Sequence, residues 1–371
     1  MKIAVLTSSR ADYGIYLPLL EKIKSDSFFS LEIIAFGTHL SKSHGYTVKA
    51  IKEGNYGKIF EISSLLSNDD AQSISTSYGL TVLKFADFWG SHHDYDLVLC
   101  LGDRFEMSAA VQAGIPFGIK FGHIHGGETT LGAIDNIYRH QITLASTLHF
   151  TAADSFSEKV SSLLGTDKGV FSVGSISLDN IADFKPIDKA FFYSKFSLLE
   201  EDYGLVTFHP ETVRSEINHK YAMEMRNAME QICKDLFLVI TMPNADTLGS
   251  IFREEILKLK AENPNRILLI ENFGKENYFS AMYYSKVLIG NTSSGIIEAA
   301  SFGKYVVNVG NRQKGRLQSD NICDSPFTSR QVIEAYQKAS EKQIYKGENA
   351  YYKNGAVNKI VKIIKQFYEN L

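Results

Sequence analysis

Cysteine is nearly absent from this sequence: Cys100, Cys233 and Cys323 are the three in 371 residues. An odd, sparse set with no paired spacing excludes a disulfide scaffold and a zinc ribbon. Long apolar runs are missing as well. No window approaches the ~20 apolar residues of a membrane span. The first apolar run, Ile3–Leu6 behind a single Lys, is shorter than a signal-peptide core. These features predict a cytoplasmic protein with no membrane partner. Neither sign of charge dominates, since 39 Lys and Arg stand against 42 Asp and Glu, a net charge of −3. That balance argues against a protein built to coat nucleic acid. The familiar phosphate loops are missing too. No G-x-G-x-x-G follows the first run and no G-x-x-x-x-G-K-[ST] occurs anywhere, which weighs against a standard dinucleotide oxidoreductase and a P-loop kinase. There is no low-complexity tract, short-period repeat or heptad run.

What is present is alternation. Short β-branched and aromatic runs are bounded by turn residues: Ile3–Leu6, Leu31–Phe36, Leu97–Leu101, Gly118–Phe121, Leu205–Phe208, Leu236–Ile240, Ile267–Ile270, Val287–Ile289 and Val306–Val309. Such runs fit parallel strands buried on both faces. Amphipathic stretches between them predict helices, among them Ile15–Lys24, Tyr221–Cys233 and Ser250–Ala261. Repeated strand–helix–strand order predicts an α/β fold with parallel sheets. The order runs to about Val173, breaks over residues 175–190 around Lys185-Pro186, and resumes at Leu205. We therefore expect doubly wound domains at 1–175 and 190–355, and a closing helix at 356–371 that packs back on one of them. Ligands of such sheets lie beyond the carboxyl ends of the strands, and two facing domains would enclose them in a cleft.

Polar clusters stand where those strand ends are expected. The first is Thr7-Ser8-Ser9-Arg10-Ala11-Asp12-Tyr13-Gly14. Its hydroxyls and Arg10 suit an anion at the N-terminus of the next helix, and an ordinary cap with a surface Arg fits equally well. Leu97–Leu101 runs straight into Gly102-Asp103-Arg104. Asp103 then stands at the functional edge of the sheet, although an N-cap for a helix from Phe105 is the simpler account. His123-Ile124-His125-Gly126-Gly127-Glu128, with Asp135 and Arg139-His140, gathers His, Glu, Asp and His within eighteen residues. The two glycines allow a backbone to approach a ligand closely. No third ligand at convincing spacing accompanies His-x-His, so acid–base work is the better reading and no metal is expected. Asp135 and Arg139, four apart, read as a surface ion pair, and Asp69-Asp70 as a solvated turn.

The second half repeats the pattern. Leu205–Phe208 ends at His209-Pro210-Glu211-Thr212. Gly290-Asn291-Thr292-Ser293-Ser294-Gly295 leads into a helix expected to carry Glu298, with hydroxyls and helix N–H groups that suit a pyrophosphate. Gly310-Asn311-Arg312-Gln313-Lys314-Gly315-Arg316 brings three cations after another strand, enough to neutralise a diphosphate.

Taken in order, these motifs resemble the hydrolysing UDP-N-acetylglucosamine 2-epimerases of bacterial sialic acid synthesis, from the first strand to about Arg316. The resemblance implies two Rossmann-like domains facing a cleft, called glycosyltransferase-B-like. It also implies the conversion of UDP-N-acetylglucosamine and water to N-acetylmannosamine and UDP, through elimination to a 2-acetamidoglucal and hydration. No cofactor is implied. By position, Asp103, Glu128 and Asp135 would be the acid–base carboxylates, with Asp103 the first choice to remove the C2 proton and Glu128 and His125 behind it. Arg10, His209, Arg312 and Arg316 would stabilise the diphosphate, His209 at the β-phosphate. Thr292 and Ser293 would donate to phosphate, Ser294 and Gly295 would bind UDP with them, and Glu298 would hold the ribose. Non-hydrolysing relatives and the animal bifunctional enzyme have Glu where this chain has His125. A homodimer or homotetramer is the expected assembly. The nearest rival keeps the mechanism but takes UDP-N,N′-diacetylbacillosamine, on the legionaminic acid route. A non-hydrolysing 2-epimerase, a glycosyltransferase and a non-catalytic UDP-sugar sensor stand further off.

Overall fold

The computed structural model describes residues 1–213, 215–243 and 248–369. The chain forms two compact units: Met1–Glu128 with Asp135–Asn180 and Tyr351–Leu371, and Thr129–Ile134 with Ile181–Ala350. The short segment Thr129–Ile134, expected within the N-terminal domain, thus belongs to the second unit. Its backbone explains why: Leu131 donates to the Lys314 carbonyl at 2.9 Å, and the Gly132 carbonyl accepts from Thr212 at 3.2 Å.

The first unit is built on strands β1 (Lys2–Thr7), β2 (Ser30–Phe36), β3 (Lys58–Ile62), β4 (Leu97–Leu101), β5 (Phe121–Ile124), β6 (Leu148–Thr151) and β7 (Val170–Ser172). They form a seven-stranded sheet of order β3-β2-β1-β4-β5-β6-β7, parallel in every described pairing. The second unit holds β8 (Tyr203–Thr207), β9 (Phe237–Thr241), β10 (Ile267–Ile270), β11 (Val287–Gly290), β12 (Val306–Val309) and β13 (Ile322–Ser325). These form a six-stranded parallel sheet of order β10-β9-β8-β11-β12-β13. Both orders reverse beside the first strand, between β1 and β4 and between β8 and β11, which is where doubly wound sheets open a crevice for ligands.

Both faces of each sheet are covered, so central strands such as β4 and β11 read as apolar runs. Ile3, Val5, Ile33, Leu97 and Leu99 pack on one side of the first sheet. Ala4, Leu6, Ile34, Val98 and Cys100 pack on the other, under Phe85 and Trp89. The second sheet divides likewise, with Val206, Leu238 and Ile240 on one face and Leu205, Val239 and Leu288 on the other. The closing helix, Ala356–Glu369, returns to the first unit and buries Val357, Ile360, Val361 and Ile364 in its core. At roughly 1.5–3 kcal/mol for each fully buried aliphatic side chain, that docking is substantial. The last two residues of the expected 356–371 helix lie outside the described residues.

Two expectations shift. The run Gly118–Phe121 is not the strand: Ile115–Phe117 forms a single turn closed by Gly118 in the left-handed region, and β5 starts at Phe121. His123 is therefore inside the strand. Asp69-Asp70 is not merely a solvated turn, because Asp70 caps the helix Ala71–Ser91 by accepting from the Ser73 N–H at 2.9 Å.

Candidate active site

In the first unit, Gly102 turns the chain after β4 with a φ of 80° and presents Asp103. The cap of the following helix, Phe105–Gly114, is Arg104 rather than Asp103. Asp103 is engaged otherwise, its carboxylate accepting from the Arg139 guanidinium. Arg139 is no surface residue: it is 1% exposed, and Nη1 donates to the Glu128 carbonyl at 2.8 Å. One buried cation therefore ties the end of β4 to the loop after β5. The reading of Arg139 as half of a surface pair with Asp135 fails on burial. Asp135 is the first residue of the same helix, Asp135–Leu144, where a negative charge suits the helix dipole.

Arg104 grips buried Glu106 with two nitrogens, at 3.2 and 3.1 Å. Burial raises the Glu106 pKa, and Arg104 opposes that rise. His123 is buried between the Gly102 carbonyl at 2.8 Å and the Thr143 hydroxyl at 3.0 Å. The carbonyl only accepts, so Nε2 carries the proton and Nδ1 accepts from Thr143. Burial pushes its pKa down to about 3, which leaves it a neutral strut between β4 and β5.

His125 follows β5 in the left-handed region, with a φ of 66°. Its N–H is held by the Phe150 carbonyl at 3.0 Å. The turn at Gly126-Gly127 swings Glu128 back beneath it, and His125 Nδ1 lies 2.6 Å from Glu128 Oε1. Only glycine suits position 127, because φ is 79° and a Cβ would stand 2.3 Å from the Phe156 carbonyl oxygen. Nε2 of His125 faces the Ser175 hydroxyl at 3.3 Å. Asp103, Arg139, Glu128 and His125 are thus joined in one chain of contacts.

The loop after β1 shows the ordinary cap, a Ser9–Asp12 capping box. Arg10 opens the helix Arg10–Lys24, and the Asp12 carboxylate folds back on the turn that precedes it. Asp12 accepts from the N–H groups of Ser8, Ser9 and Tyr13 at 2.7, 2.8 and 2.9 Å. The N–H groups of Ser8, Ser9 and Tyr13 are thereby taken by the protein itself.

In the second unit, Asn291 brackets the His209 backbone. Its Oδ1 accepts from the His209 N–H at 2.7 Å and its Nδ2 donates to the His209 carbonyl at 2.8 Å. Gln313 in turn donates to the Asn291 carbonyl at 2.8 Å. Arg312 Nη1 reaches the Pro210 carbonyl at 2.6 Å, and the Asn311 N–H donates to Glu211 at 2.5 Å. The loops after β8, β11 and β12 are thereby locked to one another, with His209 and Arg312 on adjoining segments. Gly290 makes the approach of β11 to β8 possible, since a Cβ there would sit 1.8 Å from the Thr207 carbonyl oxygen. Thr292 stands at the N-cap position of the helix Ser293–Ile297 without a side-chain capping bond. That helix ends before Glu298, so Glu298 is buried at its junction with the turn Ala299–Phe302 rather than within it. Tyr278 donates to or accepts from Ser294 at 2.6 Å, and burial pushes its phenol up to about 12. Thr207, Tyr278, Thr292 and Gly295 line a small pocket under this turn. Arg316 lies beyond Gln313 and Lys314 on the loop after β12, where its N–H donates to the Gln313 carbonyl at 3.1 Å.

Sequence reasoning missed Glu106, Asp12, Asn291 and Ser175 as organising residues and misjudged Arg139. The Asp-Arg-Phe-Glu spacing was the available signal for Glu106. Nothing in the order of residues pairs Ser175 with His125, which lies fifty positions away.

Two parallel sheets with these strand orders define a two-domain, glycosyltransferase-B-like α/β protein. The crystal structure of UDP-GlcNAc 2-epimerase from Neisseria meningitidis bound to UDP-GlcNAc shares the fold. The TM-score is 0.81 over 99% of this chain and 100% of that one, at 18% identity. Residues 21–365 match the UDP-N-acetylglucosamine 2-epimerase family, and the chain belongs to it. Among relatives, the GDP/UDP-N,N′-diacetylbacillosamine 2-epimerase (hydrolyzing) of Campylobacter jejuni is 34% identical over 343 residues, 92% of this chain and 88% of that protein. The polysialic acid biosynthesis protein P7 of Escherichia coli is 30% identical over 373 residues, 100% of this chain and 95% of that protein.

Proposed function

We propose that this protein is a hydrolysing 2-epimerase of a UDP-linked 2-acetamido sugar, converting UDP-N-acetylglucosamine and water to N-acetylmannosamine and UDP. The observation that carries the reading is the linked set Asp103, Arg139, Glu128 and His125. It holds two carboxylates in unlike surroundings, one on a buried guanidinium and one on an imidazole. Carboxylates so separated can take different protonation states and divide acid and base work.

The chemistry needs that division. The C2 hydrogen of the sugar is not next to a carbonyl, so direct removal is hard. Elimination solves this: a base takes the C2 proton, the C–H electrons form the C1–C2 double bond, and the C1–O pair leaves with UDP. Water then adds its hydroxyl to C1 of the 2-acetamidoglucal while an acid delivers a proton to the opposite face at C2. Asp103 is our first choice as the base, with Glu128, His125 and Asp135 completing the proton-transfer set. Arg10, His209, Arg312 and Arg316 would stabilise the departing diphosphate. Thr292, Ser293, Ser294 and the Gly295 N–H would bind phosphate, and Glu298 the ribose hydroxyls.

A second sugar has specific support. The Campylobacter jejuni relative, at 34% identity, is named for GDP/UDP-N,N′-diacetylbacillosamine. Proton NMR in heavy water with each nucleotide sugar tests both readings. Free N-acetylmannosamine deuterated at C2, with UDP, would support the first. Turnover of the diacetylbacillosamine nucleotide alone would move the assignment to that sugar. UDP-N-acetylmannosamine without free UDP would overturn hydrolysis.

A further inference from the structure

We infer that Ser175 is a positioning residue for the His125–Glu128 pair, its hydroxyl allowing His125 to hold or release a proton without losing its hydrogen bond at Nε2. The inference rests on the acid–base reading of that pair. His125 is 6% exposed, Glu128 and Ser175 each 1%, and Ser177 3%. Water is thus largely kept from the imidazole, and Ser175 is the hydrogen-bond partner of Nε2, at 3.3 Å. Ser175 in turn contacts Ser177 Oγ at 3.0 Å. Its backbone N–H is fixed by the Tyr351 carbonyl at 2.9 Å, where the chain returns to the first unit.

The contrast with His123, two residues earlier in β5, carries the argument. The Nε2 partner of His123 is a carbonyl oxygen, which accepts only and locks one tautomer. The Nε2 partner of His125 is a hydroxyl, which does either. With Glu128 ionised and the ring neutral, Nδ1–H donates to the carboxylate, and Nε2 accepts from the Ser175 O–H. When the ring takes a proton, Nε2–H donates to Ser175 Oγ, whose own hydrogen turns to Ser177 Oγ. The step forms one N–H bond at Nε2 and breaks the bond that held the same proton on its donor, which keeps the electron pair; every other change is a hydrogen bond. A buried imidazole without such a partner would have to leave either a lone pair or an N–H unsatisfied. The charged and titratable neighbours are Glu128 on the turn, His123 on β5, His149 opposite it on β6, Arg139 on the Glu128 carbonyl, and Asp103 on Arg139.

The test compares Ser175→Ala and Ser175→Thr with the wild type, in full-length protein whose fold is checked by circular dichroism. Losing one buried hydrogen bond to a proton carrier should cut kcat by roughly tenfold, leave KM unchanged, and be rescued by Thr. Nitrogen-15 NMR of the ligand-free protein should show the His125 Nε2 resonance moving in the Ala variant while His123 stays in place. Wild-type kcat in the Ala variant, or an unmoved His125 Nε2, would overturn the inference. Failure of the wild type to release UDP from either sugar would overturn the function itself. In that case the nitrogen spectrum would still report on the Ser175 hydrogen bond, so the two failures are distinct.

Discussion

Arg139 holds the Asp103 carboxylate from within the core of the first unit while its other terminal nitrogen holds the Glu128 carbonyl at 2.8 Å. The residue that sets the distance between the two carboxylate-bearing loops is thus neither of the carboxylates. Arg139→Met should cost roughly 3 kcal/mol of stability, the low end for a broken buried pair because the Asp103 side chain is 22% exposed. Urea denaturation monitored by circular dichroism checks this.

Asp103→Asn keeps the size and a hydrogen-bond acceptor for Arg139 but removes the base. On the function proposed here it should lower kcat by about 10²–10⁴, the usual worth of a proton-transfer group. Calorimetric titration should find UDP affinity unchanged. Equal losses of turnover and UDP binding would count against Asp103 as the base.

Gly127→Ala puts a methyl 2.3 Å from the Phe156 carbonyl oxygen at a φ of 79°. Strain of this kind costs about 1–3 kcal/mol, and the turn that returns Glu128 to His125 must open. UDP release should fall far more than the urea midpoint does, because the displaced residue is the next one in the chain.

Asn291→Ala strips both side-chain bonds from the His209 backbone. Two buried backbone groups left unmet should weaken UDP binding by about 10- to 100-fold. Isothermal titration with UDP checks it, and an unchanged dissociation constant would separate His209 from the diphosphate.

His123 gives a pH signature. Its folded pKa, about 3, lies below the ordinary value of 6.5 because the ring is buried. The unfolded chain therefore binds the extra proton first. Stability from this group is intact above about pH 6.5 and is lost as pH falls toward 3. His149, pushed down to about 4 by burial, acts in the same direction. The slope of unfolding free energy against pH between 4 and 6 should fall by about one proton in His123→Gln. An unchanged slope would mean that His123 is charged in the native state.

Much of the fold was legible because buried parallel strands write themselves as apolar runs. β1, β4, β10 and β12 fall where Ile3–Leu6, Leu97–Leu101, Ile267–Ile270 and Val306–Val309 stand. β3, β6, β7 and β13 were not picked out as strands. In β3, Lys58 and Glu61 interrupt the apolar run at a sheet edge. In β6 the buried His149 breaks it. β7 and β13 are short edge strands of three and four residues.

The sequence by itself determined the parallel α/β class, the two halves, and the polar motifs at the strand ends, since each depends on neighbours in the chain or on the local period of burial. Tertiary structure alone decided what those motifs touch. Asp103 meets Arg139 across thirty-six residues, Ser175 meets His125 across fifty, and Asn291 meets His209 across eighty-two. It also decided that Arg139 is buried. The physical reason is common to all of them. A charge or a polar atom is worth its surroundings, and burial, the missing water and the distant partner come into being only when the sheets are assembled.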